Sequence, residues 1–298
     1  MPHPPERPRT RPRLRRACLV AVLVAALALA GCAGERSQDE EGAGSPTDRP
    51  TDSGAPATET AAEAWDDQED VAEQCLSDTP ASATIRPATL RGAGMDLRAA
   101  ALLPPRPSGA AVVMLPQAGS PGLCGWLPYA ATLTARGIVT LSMDPCGSGA
   151  SACDDDRAAA IADQVDLAAG WLRREAGART VVVLGASMGG SLAVRATAQG
   201  AAVDAWVDLS GPSAWDGVHL LGLAPRLTSP GLVARARRDG ASSEFRAARE
   251  LAARAGARFL ALRDGHGWDL VLTLEGDQTA TGRVVADFIA AARPGTRS

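Results

Sequence analysis

Apolar residues fall into short runs that alternate along the chain with longer segments of helical spacing. Short Val- and Leu-rich runs predict strands, and apolar residues repeated every three or four positions predict helices. Strands separated by helices favour a mostly parallel sheet with helices on both faces, an α/β fold. The predicted strands are 84–90, 95–103, 110–115, 138–143, 180–184, 205–209, 231–235 and 258–262, and the predicted helices are 127–136, 157–175, 191–199, 243–255 and 279–292.

The N-terminal 31 residues have the pattern of an export signal. An arginine-rich stretch ends at Arg16, and residues 17–30 form an apolar run of 14 residues. That run is short for a permanent transmembrane helix. The following Leu29-Ala30-Gly31-Cys32 resembles the lipobox of bacterial lipoproteins, which implies cleavage before Cys32 and a lipid on its thiol. An ordinary signal peptide cleaved near Ala33 is the alternative.

Residues 32–74 are predicted to form a disordered membrane tether. The segment is rich in small and polar residues, and Trp65 is its only aromatic residue. Such a composition buries too little apolar surface to offset the entropy of ordering. We therefore divide the chain into a signal peptide at 1–31, a tether at 32–74 and a folded domain at 75–298.

Charge and composition exclude several function classes. After removal of residues 1–31 the chain carries 24 arginines, no lysine and 33 acidic side chains, a formal charge of −9. No clustered positive face is available for a phosphate backbone, so a nucleic-acid partner is not expected. Histidines are few and no C-x-x-C spacing is present, so we expect neither a metal nor a cofactor.

One segment carries a candidate nucleophile. Gly185-Ala186-Ser187-Met188-Gly189 is a G-x-S-x-G motif that follows an apolar strand and opens a helix. A sharp strand-to-helix turn would expose the Ser187 hydroxyl, and the helix N-terminus would direct backbone N–H groups at it. The alternative is that Ser187 only caps the helix.

A serine nucleophile needs a general base, which is most often histidine. His3 lies in the export signal, which leaves His219 and His266. His266 stands in a glycine-flanked loop directly after a predicted strand, whereas the neighbours of His219 are apolar. We favour His266 as the base. A buried structural histidine is the alternative for either residue.

From about residue 84 to the C-terminus the chain resembles an α/β-hydrolase of the small, dienelactone-hydrolase-like or exported bacterial esterase kind. GASMGG resembles the nucleophile elbow, VVMLPQAGS the oxyanion loop, DPCGSG the aspartate-x-x-glycine-x-glycine turn, and DGHGWDL the histidine loop. The resemblance implies a Ser-His-Asp triad on a mostly parallel sheet, with at most a small cap.

The resemblance also assigns the remaining site residues. The acid follows the strand at 231–235, where Asp239 stands, and Asp208 after the preceding strand is the alternative. The family's His-Gly in the oxyanion loop is absent here. The N–H of Met188 is the implied first oxyanion donor, and the second is that of Gln117 or Ala118. Asp239 could instead be a simple turn residue before a glycine.

Two further expectations concern the arginines and the cysteines. Arg235, Arg237 and Arg238 crowd the strand before Asp239, which predicts that this strand is partly exposed. Four cysteines remain in the folded domain, and in an oxidising compartment they form two disulfides. The short spacing favours one pair at 146 and 153 and the other at 75 and 124, with a bond between 124 and 146 as the rival. The four residues are Cys75, Cys124, Cys146 and Cys153.

Together these features predict a monomeric, lipid-anchored serine hydrolase on the outer face of the cell membrane that cleaves a small ester. The alternatives are a non-catalytic lipoprotein that binds a substrate or a protein partner, and an acyltransferase or peptidase with the same triad. The segment 210–230 is short, which leaves room for a small cap and disfavours a lipase with a mobile lid.

Overall fold

The structure is a computed structural model, and it describes residues 75, 84–119, 121–154 and 160–295. The signal peptide predicted at 1–31, the lipidation of Cys32 and the tether predicted at 32–74 lie outside the described residues. Within the described ranges, no helix is long and apolar enough to cross a membrane.

Eleven strands and five α-helices make up the described part of the chain. The strands are β1 Arg86–Gly92, β2 Met95–Leu102, β3 Ala110–Leu115, β4 Val139–Met143, β5 Ala152–Cys153, β6 Thr180–Ala186, β7 Ala205–Leu209, β8 Ala214–Trp215, β9 Val218–His219, β10 Gly231–Ala236 and β11 Arg258–Leu262. The helices are α1 Leu127–Thr134, α2 Ile161–Glu175, α3 Met188–Ala198, α4 Ser242–Arg254 and α5 Ala280–Ala291. Short 3₁₀ turns lie at Gly122–Trp126, Leu220–Arg226 and Gly267–Leu270.

The main sheet is mostly parallel, as the sequence predicts. Its strand order is β1-β2-β4-β3-β6-β7-β10-β11, with β5 paired to β2. Every pairing from β4 to β11 is parallel, and those that involve β1, β2 and β5 are antiparallel. The central strands β3 and β6 are buried along their whole length, which explains why they are continuous apolar runs in the sequence.

Successive side chains of the central strands enter two separate cores. Val113 and Val183 lie in a core shared with α2, α3 and α4, and Val112 and Val182 lie in a core shared with α1 and α5. This alternation follows from the two-residue repeat of a strand. The result is a three-layer arrangement with helices on both faces of the sheet.

Strand β10 corrects one expectation. The prediction that the arginines would leave this strand partly exposed is wrong, because β10 lies between β7 and β11 and all six of its residues are buried. Arg235 is itself only 4% exposed. An arginine can occupy such a position where carboxylate and carbonyl groups surround its guanidinium, as they do here.

The cysteines form two disulfides. Cys75 is bonded to Cys124 with their Cα atoms 5.1 Å apart, and Cys146 is bonded to Cys153 with a Cα separation of 5.6 Å. The pairs are those that the spacing favoured, and the rival bond between Cys124 and Cys146 is not formed. The first disulfide fixes the 3₁₀ turn that follows the loop after β3.

Candidate active site

Ser187 lies in a sharp turn between β6 and α3. Its φ of 50° and ψ of −117° are unusual for a residue other than glycine, and such strain persists only where the surrounding structure imposes it. Its N–H donates to the carbonyl of Leu209 at 2.8 Å. A Cβ at Gly185 would lie 1.9 Å from the carbonyl oxygen of Gly189, and one at Gly189 would lie 2.2 Å from that of Leu115. The turn therefore requires both glycines of the motif.

The loop after β3 lies beside this turn. The Gly189 N–H donates to the carbonyl of Pro116 at 3.0 Å, which holds the start of α3 beside the loop after β3. Among the described residues, the N–H groups of Met188, Gln117 and Ala118 donate no hydrogen bond to the protein. These are the three predicted oxyanion donors, so they remain available to an oxygen atom of a ligand.

Asp239 and His266 are in direct contact. Asp239 follows β10 and His266 follows β11, so two adjacent parallel strands deliver both side chains to the same edge of the sheet. Nδ1 of His266 lies 2.8 Å from Oδ1 of Asp239, whose side chain is 9% exposed. A hydrogen bond at Nδ1 places a neutral imidazole's acceptor on Nε2.

The histidine loop lies against the turn that carries Ser187. A Cβ at Gly267 would lie 3.6 Å from Cβ of Ala186 and 2.3 Å from Oε1 of Gln117. The residue after His266 therefore packs beside the residue before Ser187. The Ser187 hydroxyl makes no hydrogen bond to any described residue, and catalytic hydrogen bonds are often long until substrate binds.

Comparison with known proteins addresses the fold. No protein-family profile matches the chain, and no curated protein matches it. The solved structures that it resembles include an esterase of Pyrococcus furiosus, with 15% identity, a TM-score of 0.57, and coverage of 72% of this chain and 93% of that one. A dienelactone hydrolase of Anabaena variabilis has 16% identity, a TM-score of 0.50, and coverage of 70% and 95%. Est1E of Butyrivibrio proteoclasticus, in a structure with ferulic acid bound, has 15% identity, a TM-score of 0.51, and coverage of 68% and 96%.

The chain has the α/β-hydrolase fold. The fold class predicted from the sequence is confirmed by these structures, whose identity to this chain is too low to carry more than the fold. In this α/β-hydrolase fold, the described residues between β7 and β10 form only the hairpin of β8 and β9 and one 3₁₀ turn. That is the small cap the sequence predicts.

The two alternative site residues of this hydrolase fold lie in other surroundings. Asp208 accepts a hydrogen bond from the Gly211 N–H at 2.7 Å and makes no hydrogen bond or ion pair with His266. His219 is exposed on β9 and has no carboxylate partner among the described residues. The structure therefore joins Asp239 to His266 by a hydrogen bond, and among the described residues neither Asp208 nor His219 bonds to that pair.

Burial raises the pKa of Asp208 to about 6. The Gly211 N–H and then the charge of Arg235 act in the opposite direction and lower it, while the nearby Asp239 raises it slightly. Since Asp208 is 1% exposed, the free-energy cost of removing its carboxylate from water exceeds the stabilisation that the Gly211 N–H and Arg235 give to the charged form.

This shift predicts a pH dependence of stability. An unfolded aspartate titrates near pH ~4, so between about pH 4 and 6 the native state holds a proton that the unfolded state has lost. The contribution of Asp208 to the free energy of unfolding therefore falls as pH rises through this window, by about 2–3 kcal/mol. Asp208→Asn should remove this decline. The free energy of unfolding of the variant, measured in urea, should therefore rise relative to that of the wild type between about pH 4 and 7.

The control for losing one carboxylate is Asp287→Asn, since Asp287 is exposed on α5. Its unfolding free energy should keep the pH profile of the wild type. An Asp208→Asn profile parallel to that of the wild type would show that Asp208 does not titrate in this window.

Sequence reasoning missed a second buried carboxyl group at the same edge. Asp144 follows β4 and accepts a hydrogen bond from the Leu123 N–H at 2.8 Å. Burial raises its pKa, and the Leu123 N–H lowers it in part. Its carboxyl group packs against the backbone of Gly122 and Gly149, where an added Cβ would lie 2.8 and 2.2 Å from its oxygens. The glycines of the DPCGSG turn are the sequence feature that could have indicated a role for Asp144. Asp144 supports the loop that holds the candidate oxyanion donors.

Proposed function

We propose that the protein is a serine hydrolase that cleaves small esters through Ser187, His266 and Asp239. The observation that carries this proposal is the His266–Asp239 hydrogen bond of 2.8 Å, set beside the strained turn of Ser187. A histidine oriented by a buried carboxylate next to an activated serine is the arrangement that acyl transfer requires.

The proposed reaction has two halves. Ser187 Oγ attacks the ester carbonyl carbon while His266 Nε2 takes the hydroxyl proton, and Asp239 accepts the Nδ1–H and stabilises the imidazolium. The oxyanion is bound by the N–H of Met188 and by that of Gln117 or Ala118. The imidazolium then protonates the leaving alcohol, and a water activated by His266 hydrolyses the acyl-enzyme.

Two observations support a small ester as the substrate. The described residues between β7 and β10 form only a short cap, which suits a small substrate. The structures with the same fold include two proteins named as an esterase and a dienelactone hydrolase. The same triad could also serve an acyltransferase or a peptidase. A non-catalytic binding protein would need neither the His266–Asp239 hydrogen bond nor the strained backbone at Ser187.

We further propose that the enzyme is anchored by a lipid on Cys32 at the outer face of the cell membrane. The support is the lipobox-like sequence and the two disulfides, which are typical of exported proteins. Cys32→Ala should move the full chain from the membrane to the soluble fraction. Cys18→Ala is the matched control, since Cys18 lies in the apolar run of the signal and should leave the protein in the membrane. A Cys32→Ala protein that stays with the membrane would exclude lipid as the main anchor.

Labelling with a fluorophosphonate probe tests the hydrolase proposal, because the probe reacts with activated serines. We expect the wild-type protein to be labelled on Ser187 and Ser187→Ala to be unlabelled. Ser191→Ala is the control, since Ser191 is 1% exposed and its hydroxyl donates to the Pro212 carbonyl at 2.9 Å. This variant should keep the label. A label on another serine, or none on the folded wild type, would contradict the proposal.

A further inference from the structure

Arg235 is a buried cation next to the proposed acid. Its Nε lies 3.2 Å from Oδ2 of Asp239 in an ion pair without hydrogen-bond geometry, and its Nη2 donates to the Asp239 carbonyl at 3.0 Å. The side chains of Arg235 and Asp239 are 5% and 9% exposed, so water screens this pair only weakly. One carboxylate oxygen of Asp239 thus faces Arg235 while the other faces His266.

The same guanidinium also holds the loop after β7. Its Nη1 donates to the carbonyls of Ser210 at 2.7 Å and Gly211 at 3.1 Å. Ser210 has a φ of 64°, a strained value for a serine. A Cβ at Gly190 would lie 3.1 Å from Cα of Gly211, so this loop packs on the helix that begins after Ser187. One side chain therefore connects the acid loop to the nucleophile turn.

Few other charged groups face this pair. Asp208 on β7 is buried and interacts electrostatically with both Arg235 and Asp239. On the histidine loop, Asp264 is exposed and pairs with the exposed Arg238 and Arg263. Arg235 is thus the buried cation that balances the carboxylate in contact with His266.

We propose that Arg235 is a positioning residue of the catalytic triad, which fixes the Asp239 carboxylate towards Nδ1 of His266 and offsets part of its negative charge. This inference rests on the proposed serine-hydrolase function. The guanidinium does the positioning, because its two Nη groups donate to the Asp239 carbonyl and to the neighbouring loop while its charge attracts the Asp239 carboxylate.

Two substitutions separate the positioning of the Asp239 carboxylate from the offset of its charge. Arg235→Met removes the positive charge, so the uncompensated Asp239 carboxylate should stabilise the imidazolium of His266. The acid limb of the kcat/KM profile should then move to higher pH by about half to one unit. Arg235→Lys keeps the charge but loses the fork, so it should lower kcat roughly 10–100-fold with the acid limb unmoved.

The experiment measures kcat/KM for a p-nitrophenyl ester as a function of pH, with thermal unfolding to show that each variant is folded. Arg238→Met is the matched control, since Arg238 lies on the same segment and is exposed. It should keep the kcat and the acid limb of the wild type. If Arg235→Met does not fold, Arg235→Gln takes its place, since it also removes the charge but keeps a donor for the carbonyls of Ser210 and Gly211.

The titration of His266 is also followed by NMR in Ser187→Ala, which needs no activity. The titration separates the hydrolase proposal from the proposal for Arg235. An inactive wild type would overturn the hydrolase proposal, while the His266 titration would still report the effect of Arg235. A midpoint that rises when Arg235 becomes Met and stays when it becomes Lys would support the inference. An unmoved midpoint in the folded Met variant, or a Lys variant with wild-type kcat, would overturn it.

Discussion

Replacing His266 with alanine is expected to lower the turnover of a short p-nitrophenyl ester by at least ~10³-fold. The imidazole is the group that removes the Ser187 proton and later protonates the leaving alcohol, so its loss affects both steps. Steady-state kinetics of the purified, folded variant against the wild type measure this loss as kcat/KM.

His219→Ala is the matched control. His219 is exposed on β9 and has no carboxylate partner among the described residues, so its removal should change turnover little. A large loss of kcat/KM in His219→Ala, with an unchanged kcat/KM in His266→Ala, would make His219 the base. Small, equal losses at both positions in folded proteins would mean that neither histidine is a base and would favour a binding protein.

Asp239→Asn should also cost several orders of magnitude in kcat, on the order of 10⁴ as in the best-studied triad. The amide keeps the size of the side chain but cannot accept the Nδ1–H in the same way, so the imidazole loses its orientation and its charge partner. The 2.8 Å contact with Nδ1 of His266 is the interaction that this substitution removes. The measurement is kcat at a pH where the wild type is fully active.

Asp208→Asn is the control for the acid. Its carboxyl contacts the Gly211 N–H and makes no hydrogen bond with His266, so its loss should be milder. Thermal unfolding must first show that both variants are folded, because Asp208 is 1% exposed. A large loss of kcat in Asp208→Asn, with an unchanged kcat in Asp239→Asn, would still support an enzyme but would make Asp208 the acid.

The sheet was predictable because its central strands are buried on both faces. Such strands must be apolar throughout, so β3 and β6 appear in the sequence as uninterrupted runs. The nucleophile turn was predictable for a similar reason, since the contacts at Gly185 and Gly189 leave no room for a Cβ. Where packing restricts the residue type this strongly, the sequence alone is informative.

The two sequence signals for the start of α3 differ by three residues, since the G-x-S-x-G motif predicts a helix from Met188 and the apolar spacing predicts one from Ser191. Gly189 and Gly190 are poor helix formers, so the local pattern predicts a helix from Ser191. In the structure the helix begins at Met188, because the two glycines allow close approach to the carbonyl of Leu115 and the carboxylate of Asp208. Tertiary packing here outweighs helix propensity.

The burial of Arg235 could not be predicted because its partners come from distant parts of the chain. Three arginines within four residues suggest an exposed strand, and only the pairing of β10 with β7 brings the carbonyls of Ser210 and Gly211 to one of them. The choice of the second oxyanion donor is not decided by the sequence for another reason. Gln117 and Ala118 both present an unbonded N–H beside the turn, so neither is singled out.

Trapping the acyl-enzyme tests the central claim, that Ser187 is the nucleophile, most directly. The wild-type protein is mixed rapidly with p-nitrophenyl acetate, quenched in acid and mapped by peptide mass spectrometry. The account predicts an acetyl group on the peptide that contains Ser187, together with a burst of p-nitrophenol if deacylation is the slower step, both absent from Ser187→Ala. Hydrolysis that proceeds with the acetyl group on another residue, or unchanged hydrolysis by Ser187→Ala, would contradict it.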